Sequence, residues 1–230
     1  MTLANKITEL TKAIDQINDG ATVMIGGFGS PGTPFTLIEQ LVKQGAKHLT
    51  IIKNDANQNG LGIDLLLQNG QVDKLITSHI GLNSNAIGLM NAGKLEVEFV
   101  PQGILAERIR IAGAGLLGFV TDVGIDTSLA NGKQRITLNG VEGVLETALT
   151  ADFALIHAAK SDTFGNLIYA ATAQNFNPAM AMAAKFTIAE SAHIVPLGDV
   201  DPNCVHTPAP FVDNLVHLPE LTEAYNVIKR

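Results

Sequence analysis

One stretch near the N-terminus constrains this chain more than any other: Asp19-Gly20-Ala21-Thr22-Val23-Met24-Ile25-Gly26-Gly27-Phe28-Gly29-Ser30-Pro31-Gly32-Thr33-Pro34. Thr22 to Ile25 is an apolar, β-branched run and predicts a short buried strand. It empties into glycines, which turn the backbone sharply and let a ligand approach the main chain without meeting a Cβ. Thr33 is placed to cap a following helix and Pro34 to take its first position, where a missing N–H costs nothing. Unpaired N–H groups at such a helix end favour an anion or a polar ligand. A strand, a glycine loop and a helix in this order predict a binding site.

The rest of the first half repeats the strand–helix alternation. Leu3, Ile7, Leu10, Ile14 and Ile17 share one helical face, and Asn18-Asp19-Gly20 ends it. After the glycine loop, Leu37, Ile38, Leu41 and Val42 line a helix closed by Gly45. Strands are expected at His48–Lys53, Lys74–Ile80 and Leu95–Val100, and helices at Ile63–Leu67, Asn83–Asn91 and from Pro101-Gln102-Gly103 through Arg110. This predicts an α/β fold, a mostly parallel sheet with helices on both faces. The stretch from Gly113 to Gly118 reads as flexible, and Asn139-Gly140 between apolar runs predicts a small β-hairpin insertion, Arg135–Leu138 with Val141–Leu145. Ala151–Ala158 reads as a buried strand, Leu167–Tyr169 as a short one after the Gly165-Asn166 turn, and Thr187–Glu190 as the last. Asn177-Pro178 predicts a helix through Lys185, with Asn177 as its cap. Pro196 to Pro219 holds five of the nine prolines and reads as an extended strap.

Charge and composition exclude several classes. A net charge of −7 with no basic cluster argues against nucleic acid or an anionic membrane as partner. No apolar run is long enough to span a bilayer, and the acidic, amphipathic start is unlike a targeting peptide, so the expected location is cytoplasmic. A single cysteine, Cys204, excludes an internal disulfide and fits a reducing compartment. Only 16% of residues are charged, which leaves two readings: a surface covered by another protein chain, or one kept wet by small polar residues.

Loops at the carboxyl ends of parallel strands carry ligands. Three fit: Gly26–Pro34, Asn54–Gly60 and Pro101-Gln102-Gly103. Gly27-Phe28-Gly29-Ser30-Pro31-Gly32 spells a dinucleotide fingerprint, with Asp55 near the place of a ribose-binding acid. A helix already begun within those glycines would bury Pro34, at a cost of about 3 kcal/mol. The helix is therefore expected to start at Pro34, which disfavours an NAD(P)-binding oxidoreductase. A metabolite-sensing module of related fold would need a DNA-binding segment or a Lys- and Arg-rich sugar-phosphate site. Six scattered histidines offer no metal-ligand spacing, and Ser30 has no base visible in the sequence. Gln102 is a neutral amide suited to polarising a carbonyl, and Asn54 has the same capacity; each reads equally as an ordinary turn residue. Glu107, Arg108 and Arg110 read as surface ion pairs.

Together these segments resemble one family. Asp19-Gly20-x-x-Val23-Met24-Ile25-Gly26-Gly27-Phe28-x-x-x-Gly32-x-Pro34 is similar to the signature of family I coenzyme A transferases of 3-oxoacid type, in their alpha chain. Val100-Pro101-Gln102-Gly103-x-Leu105-Ala106-Glu107-Arg108-Ile109-Arg110 with Gly113-Ala114-Gly115, then Asp162-Thr163-x-Gly165-Asn166-Leu167, Asn175-Phe176-Asn177-Pro178 and Thr207-Pro208, follow in the family's order. The likeness spans the chain and is nearest to alpha subunits of bacterial acetate/butyrate–acetoacetate CoA transferases. It implies a fold of the CoA-transferase and ribose-phosphate-isomerase kind, with residues 1–230 as one domain. It also implies a ping-pong exchange in which the acyl-CoA thioester is attacked by a glutamate of a Ser-Glu-Asn-Gly motif on a beta subunit. That motif is absent here; Glu190 lies in Ala-Glu-Ser. The implied partners are that beta subunit, short-chain carboxylates and acyl-CoA, in a hetero-oligomer with no permanently bound cofactor. Gln102 and Asn54 would face the acyl carbonyl or carboxylate, and Gly26, Gly27, Phe28, Gly29, Ser30, Pro31 and Gly32 would contact coenzyme A. Asp55 departs from the second asparagine of the mitochondrial members.

Overall fold

A computed structural model describes residues 5–225. In chain order its first half runs α1 (Leu10–Ile14), β1 (Thr22–Ile25), α2 (Phe35–Gln44), β2 (Leu49–Ile52), α3 (Ile63–Gln68), β3 (Val72–Thr77), α4 (Ser84–Asn91), β4 (Glu96–Phe99) and α5 (Gln102–Gly113). Three strands follow, β5 (Gly118–Thr121), β6 (Arg135–Leu138) and β7 (Val141–Thr147). The second half adds β8 (Ala151–Ala158), β9 (Lys160–Asp162), β10 (Leu167–Ile168), α6 (Asn177–Ala183), β11 (Ala184–Ser191), β12 (Ile194–Val195) and β13 (Asn214–His217).

Seven strands form one parallel sheet in the order β13-β11-β8-β1-β2-β3-β4. Alternation along each strand feeds two cores. Val23 and Ile25 point to the face covered by α1 to α4, with Leu37, Ile38, Leu41 and Leu66 packed there. Met24 points to the other face, against Ile104, Leu105 and Ile109 of α5 and Met180 of α6. Burying side chains of this size contributes roughly 1.5–3 kcal/mol each, so this two-sided packing is what holds β1 central. From β1 the chain walks outward through β2, β3 and β4, and then returns to place β8 on β1's other side. The order of the strands therefore reverses between β1 and β8, and a crevice opens there at their carboxyl ends.

The hairpin forms as expected, with Asn139 at φ +52° and Gly140 at φ +81°, the two positive values a type I′ turn requires. Its strands join β5 in a separate three-stranded antiparallel sheet, β5-β7-β6.

Several boundaries differ from the sequence reading. The N-terminal helix shrinks to α1; Ile7 instead bridges Leu215 of β13, and Leu3 lies outside the described residues. Lys6 explains the change: its ammonium donates to the Ala209 and Val212 carbonyls at 2.6 and 2.7 Å, drawing the segment along the sheet edge. His48 adopts φ +59°, so β2 starts one residue later. The third strand runs 72–77 rather than 74–80, because Ser78 N–H turns to the Asn54 carbonyl. Helix α6 stops at Ala183, and β11 takes over at Ala184 to pair along the full length of β8. Nor is β11 the last strand: β13, within the proline-rich tail, pairs with it in parallel and closes the sheet edge. Arg108 pairs with Glu98 at 3.4 Å from a half-buried position and also donates to the Thr147 carbonyl at 2.8 Å, tethering α5 to β7, whereas Glu107 and Arg110 pair with each other at the surface.

Candidate active site

The glycine loop after β1 is held from three directions. Gly29 N–H donates to Asp55 at 2.7 Å, and the Gly29 carbonyl accepts from Asn57 Nδ2 and from Thr33 Oγ1 at 2.8 and 2.7 Å. From α6, Asn177 Nδ2 donates to the Gly32 carbonyl at 3.1 Å; just before it, Asn175 Nδ2 reaches the Pro31 carbonyl at 2.9 Å. Three local expectations change here. Thr33 does not cap α2, since its hydroxyl turns back to the loop, and Pro34 is the N-cap residue rather than the first helical one. Asn177 is not a cap either; it lies inside the first turn of α6, fully buried, as a strut beneath the loop.

The close fit explains one glycine. A Cβ on Gly26 would lie 1.8 Å from Asn177 Oδ1. Gly26→Ala is expected to destabilise the chain by about 2 kcal/mol or more, read as a lower urea midpoint at unchanged slope. A midpoint within error of the parent would contradict this packing.

The amino end of α2 does not offer free N–H groups, contrary to the sequence reading. Thr36 N–H donates to the Tyr225 hydroxyl at 2.8 Å and Leu37 N–H to Glu190 Oε2 at 3.0 Å. The anion favoured by this helix end is thus a carboxylate of the chain itself. Glu190 is fully buried, and its other oxygen receives the Tyr225 hydroxyl and the His157 imidazole Nδ1, the latter at 2.9 Å. Burial and the Glu190 charge push the Tyr225 phenol well above its ordinary value.

On the other side of the loop lies a chain of amides and charges. Asp55 accepts from Gly29 N–H, from Asn57 N–H at 2.9 Å and from Asn54 Nδ2 at 3.1 Å. Lys53, fully buried, sits 3.9 Å from the same carboxylate. Burial alone would raise the Asp55 carboxyl, but Lys53 and these donors outweigh it and hold the group below its usual range. Burial lowers Lys53 from its ordinary value, with Asp55 acting against that change. A carboxylate only accepts, so Asn54 turns its nitrogen to Asp55 and its Oδ1 outward. Gln102 Nε2 donates to that Oδ1 at 2.7 Å. Gln102 opens α5 and is exposed, whereas Asn54 is fully buried behind it.

A cavity of about 610 Å³ opens beside the loop. Phe28 through Gly32 line it, while Gly26 and Gly27 do not. Asp55 and His79 form a second wall, and His157 and Tyr225 a third. Gln102 and Asn54 are outside its lining and connect to it through Asp55. The dinucleotide reading finds no support, since α2 begins beyond the glycines and Asp55 is occupied with the loop. Sequence reasoning passed over His157, Glu190 and Tyr225. They come from β8, β11 and the tail: the strand register sets Glu190 directly beside His157, and the Tyr225 hydroxyl reaches the same carboxylate from the tail.

Residues 7–218 match the family model described as coenzyme A transferase. The chain is 47% identical over 205 residues to one component of the probable succinyl-CoA:3-ketoacid coenzyme A transferase of Bacillus subtilis, covering 89% of this chain and 86% of that one. It is 43% identical over 214 residues to the alpha subunit of the acetate CoA-transferase of Escherichia coli, covering 93% and 97%. Among solved structures, an acyl-CoA transferase from Escherichia coli in a thioester complex with CoA superimposes with a TM-score of 0.84 at 22% identity. That match covers 96% of this chain and 48% of the other, so the present chain spans about half of that protein.

Proposed function

The chain belongs to the coenzyme A transferase family, and from that premise we propose that it is the alpha subunit of a two-chain enzyme. The enzyme moves coenzyme A between a short-chain acyl-CoA and a carboxylate such as acetate, butyrate or acetoacetate. The nucleophile is a glutamate in a Ser-Glu-Asn-Gly motif on the beta subunit. It attacks the thioester carbonyl to give a mixed anhydride and release the CoA thiolate. The thiolate then attacks the anhydride at the glutamyl carbonyl, expelling the first carboxylate and leaving a glutamyl-CoA thioester. The acceptor carboxylate attacks that thioester, and the steps reverse to give the new acyl-CoA.

One observation carries the role of this chain: the Asp55–Asn54–Gln102 relay, which ends in an exposed amide held in a set orientation. Gln102 keeps one Nε2 hydrogen beyond the one given to Asn54. A fixed neutral donor stabilises the oxygen that gains charge as the thioester is attacked, with no added charge to repel a carboxylate. Asn54 serves the same acyl group, from behind, by aiming Gln102. The loop from Gly26 to Gly32 forms the wall along which coenzyme A lies, with Phe28 to Gly32 presented and Gly26 and Gly27 beneath.

The reading is tested by acyl exchange between labelled acetate and acetoacetyl-CoA. This chain alone is expected to show no exchange, and addition of the beta subunit is expected to restore it. Exchange by the chain alone would overturn the proposal.

A further inference from the structure

The crevice between β1 and β8 is where a parallel sheet of this topology receives ligands, and its β8 side is occupied by His157. No buried side-chain polar atom among the described residues lacks a partner. Among the described residues the His157 side chain makes one hydrogen bond, through Nδ1 to Glu190, which leaves Nε2 as the ring nitrogen without a partner there on a residue that lines the cavity. Glu190 is fully enclosed, and among the described residues His157 alone stands at ion-pair distance from it. A buried carboxylate is costly without a counter-charge. An anionic oxygen placed at Nε2 would hold the imidazole between two acceptors, the Glu190 carboxylate on one ring nitrogen and the ligand on the other.

The surroundings keep this donor in place. The Tyr225 ring packs 4.9 Å from the imidazole, and its hydroxyl shares the same Glu190 oxygen. From α6 only the neutral Asn177 reaches the His157 backbone, at 3.4 Å. Across the cavity stand His79 and Asp55, the latter already bound to Lys53 and the loop. On the facing loop the N–H groups of Ser30 and Gly32 find no acceptor among the described residues. The cavity wall thus combines His157 with loop residues whose N–H groups have no acceptor among the described residues.

We infer that His157 is a substrate-binding residue whose Nε2–H holds an anionic oxygen of a reactant, with Glu190 as the residue that positions it. The inference rests on the transferase reading above. The oxygen belongs either to a phosphate of coenzyme A or to the carboxylate of the acid substrate, and the ping-pong route lets the two be measured separately. In the assembled enzyme, His157→Gln is expected to raise KM for one of them by about 10- to 100-fold, the loss of one charged hydrogen bond, with kcat within about threefold. A rise in KM for acyl-CoA identifies the phosphate, and a rise for the acid identifies the carboxylate. Glu190→Gln should raise the same KM.

Unchanged KM values for both substrates in His157→Gln would overturn the inference. Should the variant not assemble, the imidazole nitrogen resonances of the parent chain decide the matter: titration with CoA or with acetate must move those of His157, and no movement with either overturns it. A parent assembly without exchange activity overturns the transferase reading instead, and the imidazole titration still decides this site.

Discussion

Gln102→Ala in the assembled enzyme will lower kcat about 10²-fold, the usual loss when one preorganised donor to a developing oxyanion is removed. KM for acyl-CoA will stay within about threefold, because the amide contributes chiefly when the carbonyl oxygen becomes charged. The expectation follows from how the side chain is held. Gln102 opens α5 at the end of the link from β4, and its Nε2 is oriented by Asn54, whose own amide is oriented by Asp55. Alanine leaves the helix start intact and removes only the donor. Gln102→Glu, which places an acceptor where a donor is needed, should be no more active than the alanine variant. Steady-state kinetics of the two variants check this, and an unchanged kcat in Gln102→Ala would remove Gln102 from the reaction.

Asp55→Ala will cost about 3–5 kcal/mol of folding stability, the range for breaking a buried ion pair by deleting one partner. Lys53 would be left as an enclosed ammonium whose one hydrogen bond among the described residues is to the Gly27 carbonyl, at 3.5 Å. Gly29 N–H and Asn57 N–H would lose their acceptor as well. Adding Lys53→Met should recover much of the loss, since a neutral side chain of similar volume no longer needs a partner. Urea unfolding of the single and double variants gives the coupling directly. The parent should show a matching pH dependence. Asp55 titrates below its ordinary value in the folded chain, so its contribution is full above the unfolded carboxyl pKa and is lost as pH falls through the folded one. Equal stability of Asp55→Ala and parent at neutral pH would contradict this account of the loop.

Much of this was legible in the sequence because it rests on local physics. The run Thr22–Ile25 is β-branched and apolar, and it forms a strand with those bounds. Gly45 takes the left-handed position that ends α2, at φ +88°, and Asn139-Gly140 makes its turn. What was hidden depends on partners distant in sequence. Nothing around Thr36 and Leu37 signals that their N–H groups will be taken by residues from β11 and the tail. Lys6 breaks an otherwise regular helical pattern only because carbonyls some two hundred positions away are within its reach. The amide pair was nameable, but its order was not: Gln102 is exposed and Asn54 is enclosed behind it, its Nδ2 turned to an Asp55 carboxylate that itself lines the cavity. Asp55 read only as a departure from the family's pattern, and the fold uses it, from the cavity wall, to hold the glycine loop to Lys53.

The central claim is that this chain shapes the site while the nucleophile belongs to another. Intact-mass spectrometry of the assembled enzyme after incubation with acyl-CoA tests it most directly. The account predicts a CoA adduct on the beta subunit, labile to hydroxylamine as a thioester should be, and an unmodified mass for this chain. A CoA adduct on this chain would contradict it.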